Sequence, residues 1–270
     1  METTWQSVAQ KRLLAQLLKR QWEKRPGDGI YRSGEVLIDL NTPQGRSELL
    51  ALAVLKAAKI REGVAEKAFL ALRTEGLLAQ ERLIGANPAD IARVETILRE
   101  EYRAPISKRA KTEALFHNQQ WLAEHWGGDP HRIYLAHDGD GPSIVATLQQ
   151  CRQLAGRALW FCREMAGAGI WNGLAPESTA YLDIHVRLPL MRLGLIEARK
   201  RTAWEGIRRE CFRAIAQYFE GDLIALARHG STLCRQEALH VCQTECTVQH
   251  ACSFWSEQAN EKLQSSMRSY

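Results

Sequence analysis

The sequence lacks the features that mark membrane, fibrous and secreted proteins. No stretch approaches the roughly 18–20 uncharged apolar residues that a membrane-spanning helix needs. There is also no low-complexity tract, internal repeat or Gly/Ser linker. Four basic residues interrupt the apolar positions of Met1–Arg20, which predicts an amphipathic helix and not a secretory signal. We therefore expect a cytoplasmic protein with no membrane partner.

Several common enzyme motifs are missing as well. The chain has no phosphate-binding P-loop, no dinucleotide fingerprint and no Ser/His/Asp order that suits a triad. It does have an ordinary globular composition, with 45% hydrophobic and 25% charged residues over 270 positions, enough for one large or two modest domains. Its 36 Lys and Arg against 31 Asp and Glu weakly favour anionic partners.

Hydrophobic periodicity predicts an all-α protein. Alternating strand patterns are scarce, and the one extended run is Glu35–Asp39. Gly and Pro separate long stretches with helical apolar spacing. These stretches predict helices over Thr4–Lys24, Ser47–Ala58, Val64–Glu75, Leu77–Ile84, Pro88–Glu100, Ser107–Trp126, Ser143–Met165 with a break near Gly156, Asp183–Leu195, Thr202–Phe219 and Asp222–Leu233.

Four of the seven cysteines fall within 19 residues near the C-terminal end. They are Cys234, Cys242, Cys246 and Cys252, with seven, three and five residues between them. Thiolates bind soft metals, and the absence of a long gap favours an iron–sulfur cube over a single zinc ion. A mixed Cys/His zinc site stays open because three histidines lie nearby, namely His229, His240 and His250. Four unliganded thiols are the remaining alternative.

The residues that lead into this cluster resemble a known family. A predicted helix ends in His229-Gly230, and Cys234 follows shortly after. This resembles the C-terminal iron–sulfur loop of the endonuclease III family, within the helix-hairpin-helix DNA glycosylase superfamily. The usual family spacing is six, two and five residues, so two gaps here are one residue longer. The resemblance implies a 4Fe–4S cluster held by the four cysteines.

A second phrase, Tyr181–Arg187, is similar to the superfamily's Val-Asp-x-His-Val segment. There the Asp opens a helix and faces the extruded base, so the resemblance implies that Asp183 is the catalytic carboxylate. A carboxylate at that place stabilises positive charge on the sugar and activates water. The same resemblance places His185 and Arg187 at the DNA. The alternative roles are an N-cap for Asp183 and a structural histidine for His185.

The superfamily's glycine-rich hairpin is altered in this chain. The matching stretch is Cys151–Met165, where Arg152 and Leu154 stand in the glycine positions and Gly156 stands where bifunctional members have a lysine. The missing lysine implies a monofunctional glycosylase with little or no lyase activity. Arg152 and Arg157 can bind phosphate by charge. Solvated surface arginines are the alternative.

Other basic and aromatic residues are candidates for DNA contact. The resemblance places Lys59 where a residue wedges into the duplex. Basic residues concentrate at Lys108–Lys111 and Arg187–Arg213. The second group favours a phosphate-binding surface, with a solvated helix surface as the alternative. Trp171 lies in a Gly-rich segment before Asp183 and is a candidate to stack on a flipped base, with core packing as the alternative.

Together these features predict two packed helical domains with a cleft between them and Asp183 at its mouth. A six-helix-barrel domain with the degenerate hairpin would span 47–165. Residues 1–46 and 166–270 would form a discontinuous iron–sulfur domain. The expected function is excision of a damaged, mismatched or modified base from double-stranded DNA by a monomer, nucleoid-associated if the source is bacterial. A non-catalytic DNA-binding protein with this fold, or a zinc-stabilised interaction protein, would be the alternatives.

Overall fold

The computed structural model describes residues 7–23, 27–57, 60–101, 108–196, 204–234 and 244–252. This part of the chain is mostly helical with one small two-stranded sheet, which confirms the predicted helical class. Its elements, in chain order, are α1 (Val8–Glu23), β1 (Ile30–Ser33), β2 (Val36–Asp39), α2 (Pro43–Leu55), α3 (Glu62–Thr74), α4 (Gln80–Gly85), α5 (Pro88–Glu101), α6 (Lys108–Trp126), α7 (His131–Ala136), α8 (Gly141–Leu148), α9 (Ala158–Gly167), α10 (Ile184–Arg192), α11 (Trp204–Phe219) and α12 (Ile224–Thr232). None of these described helices is long and apolar enough to span a membrane.

Contacts divide the chain into two compact units. One unit is continuous and runs from Gly27 to Tyr181. The other is discontinuous and combines Met1–Pro26 with Leu182–Tyr270. The continuous unit extends past the expected 47–165 domain on both sides, because the β-hairpin and the segment after α9 make their contacts within it.

The continuous unit is built around α2. Eleven of the 13 residues of this helix are buried, so it is surrounded by other elements and has no solvent-facing stripe. The Thr42 side chain caps it by accepting a hydrogen bond from the Gly45 backbone N–H at 3.0 Å, and Pro43 occupies the first turn. This Thr-Pro start places the beginning of α2 ahead of the predicted Ser47.

The small sheet is an antiparallel hairpin of β1 and β2. Ile30 pairs with Asp39 and Ser33 pairs with Val36. Gly34, in the two-residue turn, adopts a φ of 58°, which glycine reaches without strain. The extended run at 35–39 was expected, whereas the four residues of β1 are too short to give a pattern of their own.

Several helix boundaries follow from local signals. The Asn87 side chain accepts a hydrogen bond from the Ala89 backbone N–H at 2.9 Å, which confirms the predicted start of α5. The long helix α6 ends at Trp126, and Gly127 and Gly128 follow with φ of 58° and 80°, as predicted. The break expected near Gly156 in the stretch 143–165 is present, because α8 ends at Leu148 and α9 begins at Ala158 after a turn and a short 3-10 helix at Ala155–Arg157.

The discontinuous unit packs four described helices together. Helix α10 packs against α12, and α1 packs against both α11 and α12. Pro189 lies inside α10, so one helical hydrogen bond is missing there. Buried apolar side chains, including Leu18 of α1, Leu190 of α10 and Leu226 of α12, form the core between these helices.

Candidate functional site

Asp183 is the N-cap of α10. Its Oδ1 accepts hydrogen bonds from the backbone N–H of His185 at 3.0 Å and of Val186 at 3.2 Å. The capping interpretation of this residue is therefore confirmed. The side chain is half-buried, and the helix N-terminus stabilises its negative charge. Capping does not exclude a second, catalytic role for this carboxylate.

The two other residues of the aspartate segment lie in the first turn of α10. His185 and Arg187 are both half-buried. Burial raises the pKa of the Cys211 thiol on α11 to about 11, and the nearby Arg187 guanidinium opposes that shift. Arg187 therefore has its charge close to the buried face of α11.

The far end of α10 contacts two of the four clustered cysteines. Arg192 donates from Nη1 to the Cys234 carbonyl oxygen at 2.9 Å, and the same nitrogen lies 3.6 Å from the Cys234 Sγ. The Cys252 thiol donates to the Arg192 carbonyl oxygen at 3.2 Å. Arg192 thus contacts Cys234 and Cys252, which are far from it in the sequence.

His229 contacts the third described cysteine. Its ring is 2% exposed, and Nε2 lies 3.9 Å from the Cys246 Sγ. Burial lowers the pKa of His229 to about 4, so the ring is neutral. Its Nδ1 has no hydrogen-bond partner among the described residues. A buried neutral imidazole beside a thiol is chemically suited to the surroundings of a soft metal.

Three of the four clustered cysteines lie among the described residues. Cys234, Cys246 and Cys252 all contact either Arg192 or His229, while Cys242 lies outside the described residues. Within the described ranges, no three His, Cys, Asp or Glu side chains lie close enough to hold one ion. Cysteine thiolates are ligands both of zinc and of iron–sulfur clusters.

The turn at 149–154 connects α8 to the segment that leads into α9. Cys151 and Leu154 at its ends are 3% and 0% exposed, whereas Arg152 and Gln153 between them are exposed. The Arg152 side chain lines a groove of about 520 Å³ together with His117 and other residues of α5 and α6. Burial and, after it, the charge of Arg152 lower the pKa of His117.

Arg157, the second predicted phosphate contact, is held inside the unit. Its Nη2 donates to the Lys56 carbonyl oxygen at 2.7 Å, and its guanidinium lies 4.9 Å from the centre of the Tyr181 ring. These contacts occupy the side chain at the C-terminal end of α2. Arg152 is thus the more available of the two predicted phosphate ligands.

The end of α2 is also capped by Lys111, one of the basic residues at 108–111. Lys111 is 1% exposed, so its charge is buried inside the unit. Its Nζ donates to three carbonyl oxygens, those of Val54, Leu55 and Ala57, at 2.6, 3.0 and 3.1 Å. Burial, with a smaller contribution from Arg157, lowers its pKa to about 8. The expected wedge residue Lys59 comes four residues after the end of α2 at Leu55, and it lies outside the described residues.

Trp171 is a core residue, which corrects its candidacy for base stacking. It is 1% exposed. Its ring stacks on Tyr134 at 5.5 Å and meets Phe161 edge to face at the same distance. Its Nε1 donates to His131 Nδ1 at 3.0 Å. No face of the indole is left for a flipped base.

Comparison with protein-family models, curated proteins and solved structures finds no match for this chain.

Proposed function

We propose that this protein is a monofunctional DNA N-glycosylase that removes a damaged, mismatched or modified base from double-stranded DNA as a monomer. One observation carries the proposal. The carboxylate of Asp183 is fixed at the N-terminus of α10, and the opposite end of the same helix contacts two clustered cysteines through Arg192. The two motifs that resemble the glycosylase superfamily are therefore joined by one short helix.

Asp183 would act on the sugar of an extruded nucleotide. Loss of the base builds positive charge on the sugar ring, and an ionised carboxylate beside it lowers the energy of that state. The same carboxylate can accept a proton from the attacking water. Its capping bonds to His185 and Val186 hold it in one orientation throughout, so little reorganisation accompanies the reaction.

The four cysteines Cys234, Cys242, Cys246 and Cys252 would hold a 4Fe–4S cluster. When bound, that cluster would supply a rigid cross-link between its four cysteine ligands, and hydrolysis of a glycosidic bond needs no electron transfer. Arg192 and His229 then stabilise the surroundings of the thiolates through the contacts described above.

Lyase chemistry would be absent because no amine is available in the turn. The segment 149–158 contains no lysine, so no Schiff base can form there with the sugar aldehyde. The product is then an abasic site with an intact strand. A non-catalytic DNA-binding protein is the second candidate, favoured by the replacement of both hairpin glycines by Arg152 and Leu154.

A duplex panel with one altered base per substrate tests the proposal. The panel holds an oxidised pyrimidine, an alkylated purine, a mismatch and a deaminated base. We expect strand breaks at one of these bases only after alkali treatment, and none with Asp183→Asn. Duplex binding without excision of any base would favour the second candidate, and excision that survives Asp183→Asn would contradict the catalytic role of Asp183.

A further inference from the structure

One buried side chain holds the turn between α8 and α9. Asn118 of α6 is 1% exposed. Its Oδ1 accepts a hydrogen bond from the Arg152 backbone N–H at 2.7 Å, and its Nδ2 donates to the Arg152 carbonyl oxygen at 2.9 Å. The Asn118 amide thus hydrogen-bonds both the backbone N–H and the carbonyl oxygen of Arg152. The backbone at Arg152 is fixed without any contribution from the Arg152 side chain.

The rest of the turn needs such support. Gln153 has a φ of 62°, a left-handed conformation that a residue with a side chain rarely adopts. The Leu154 backbone N–H donates to the Cys151 carbonyl oxygen at 3.3 Å, and both of these residues are buried. The turn therefore adopts, without glycine, a left-handed conformation that favours glycine. This is possible because Cys151 and Leu154 are buried at its two ends and Asn118 hydrogen-bonds the backbone of Arg152.

The anchored turn presents a cation with no anionic partner. Among the described residues, the Arg152 guanidinium forms no ion pair and no hydrogen bond, unlike the Arg157 guanidinium, which donates to the Lys56 carbonyl oxygen. An exposed arginine on a rigid backbone loses less entropy when it binds a phosphate than one on a loose loop.

We infer that Asn118 is a positioning residue for DNA binding, acting through Arg152 on a backbone phosphate. The inference rests on the proposed function, because it takes DNA to be the ligand. In this arrangement the Asn118 amide holds the turn in a conformation that glycine residues would reach without support. The fixed turn then binds a phosphate through the charge of the Arg152 side chain, whereas a glycine turn binds it only through backbone N–H groups.

The slope of affinity against salt tests this inference. Each lost phosphate contact reduces the slope of log K against log salt by about 0.9 and weakens binding roughly tenfold near 0.1 M salt. We expect that loss for Arg152→Ala and most of it for Asn118→Ala, measured on a lesion-bearing duplex at a temperature where each variant is folded. The double variant should lose no more than Arg152→Ala alone, because Asn118 acts through that residue.

Two further variants separate positioning from general stability. Gln119→Ala is the matched control, since Gln119 lies on the same helix with the same 1% exposure and its Oε1 accepts no hydrogen bond among the described residues. It should leave the slope unchanged. Gln153→Gly added to Asn118→Ala should restore part of the slope, because glycine adopts the left-handed conformation without support.

The outcomes distinguish the inference from the proposed function. The positioning role is overturned if Asn118→Ala has the same slope of log K against log salt as Gln119→Ala. It is also overturned if the losses caused by Arg152→Ala and Asn118→Ala add in the double variant. In both cases, excision by the wild type still supports the glycosylase proposal. If Arg152→Ala leaves the slope unchanged, the inference is overturned in the same way. If the wild type neither binds nor excises any duplex, both are overturned.

Discussion

The carbonyl oxygen of His185 occupies the space that a side chain at Gly230 would need. A β-carbon built on Gly230 would lie 1.8 Å from that oxygen. Pro189 lies four residues further along α10 and has no N–H to donate to that carbonyl oxygen. Helix α12 approaches α10 closely at this point, because Gly230 has no side chain to meet the His185 carbonyl group.

Gly230→Ala should destabilise the discontinuous unit strongly. The added methyl group meets backbone and not a flexible side chain, so the helices must move apart, at a cost of about 3 kcal/mol or more. Urea unfolding measures this loss. The matched control is Gly63→Ala in α3, where nothing lies within 4 Å of the added atom and helix propensity predicts a gain of about 0.5–1 kcal/mol. Equal effects of the two changes would contradict the close approach.

Substitutions at Asp183 should separate its structural role from its chemical role. Asn caps a helix about as well as Asp, so the free energy of unfolding of Asp183→Asn should lie within about 0.5 kcal/mol of the wild-type value. The free energy of unfolding of Asp183→Ala should be about 1 kcal/mol lower than that of the wild type. Excision should fall at least about 100-fold in both, because neither has a carboxylate. If Asp183 had only a structural role, Asp183→Asn should excise the base nearly as well as the wild type and Asp183→Ala less well, in the order of their stabilities.

Acid should weaken the continuous unit through His131. Burial, and after it the charge of Arg46, lower the pKa of His131 below 6.5, and its Nδ1 accepts a hydrogen bond from Trp171. The unfolded chain, with an ordinary histidine, therefore binds more protons below about pH 6.5. The resulting stability is present above pH 6.5 and is lost as the pH falls towards the lower pKa of the folded state.

Urea melts at a series of pH values, followed by tryptophan fluorescence, measure this loss. In His131→Gln the titrating group is absent, so the fall in unfolding free energy between about pH 7 and 5 should be smaller than in the wild type. The same pH dependence in both proteins would show that another group is responsible.

Protein purified without oxygen should contain about four irons and four sulfides per chain. Replacing any one of the four clustered cysteines by Ser should lower the iron content. Cys162→Ala is the matched control, because Cys162 is 0% exposed in α9 of the other unit and burial raises its pKa to about 12. One zinc without iron, or equal iron in all variants, would contradict the cluster.

A lysine placed at Gly156 should add lyase chemistry. Gly156 is exposed, and a side chain there meets nothing within 4 Å, so Gly156→Lys should fold normally. If the family register is right, its amine reaches the sugar aldehyde, and borohydride should trap a covalent complex with DNA. The wild type and Ala155→Lys should give none. A trapped complex with the wild type would contradict the monofunctional assignment.

Local signals in the sequence predicted much of the helical framework. The Asn87-Pro88 start, the Gly127-Gly128 stop and the Asp183 start each depend on residues within a few positions, and the structure has all three. Caps and turns are local, so their residue types are enough to find them. The spacing of the four cysteines is likewise a local signal, and it supports a cluster site without any knowledge of the fold.

Burial was decided by tertiary structure. Trp171 and Lys111 had the residue types of DNA contacts, yet one packs on Tyr134 and the other caps α2 across more than 50 positions of sequence. The turn at Arg152 depends on Asn118, 34 positions away. The sequence by itself determined which segments are helical and where charge and sulfur concentrate. Only the packing of distant segments decided which side chains remain exposed, because burial and side-chain clamps depend on partners that no local pattern contains.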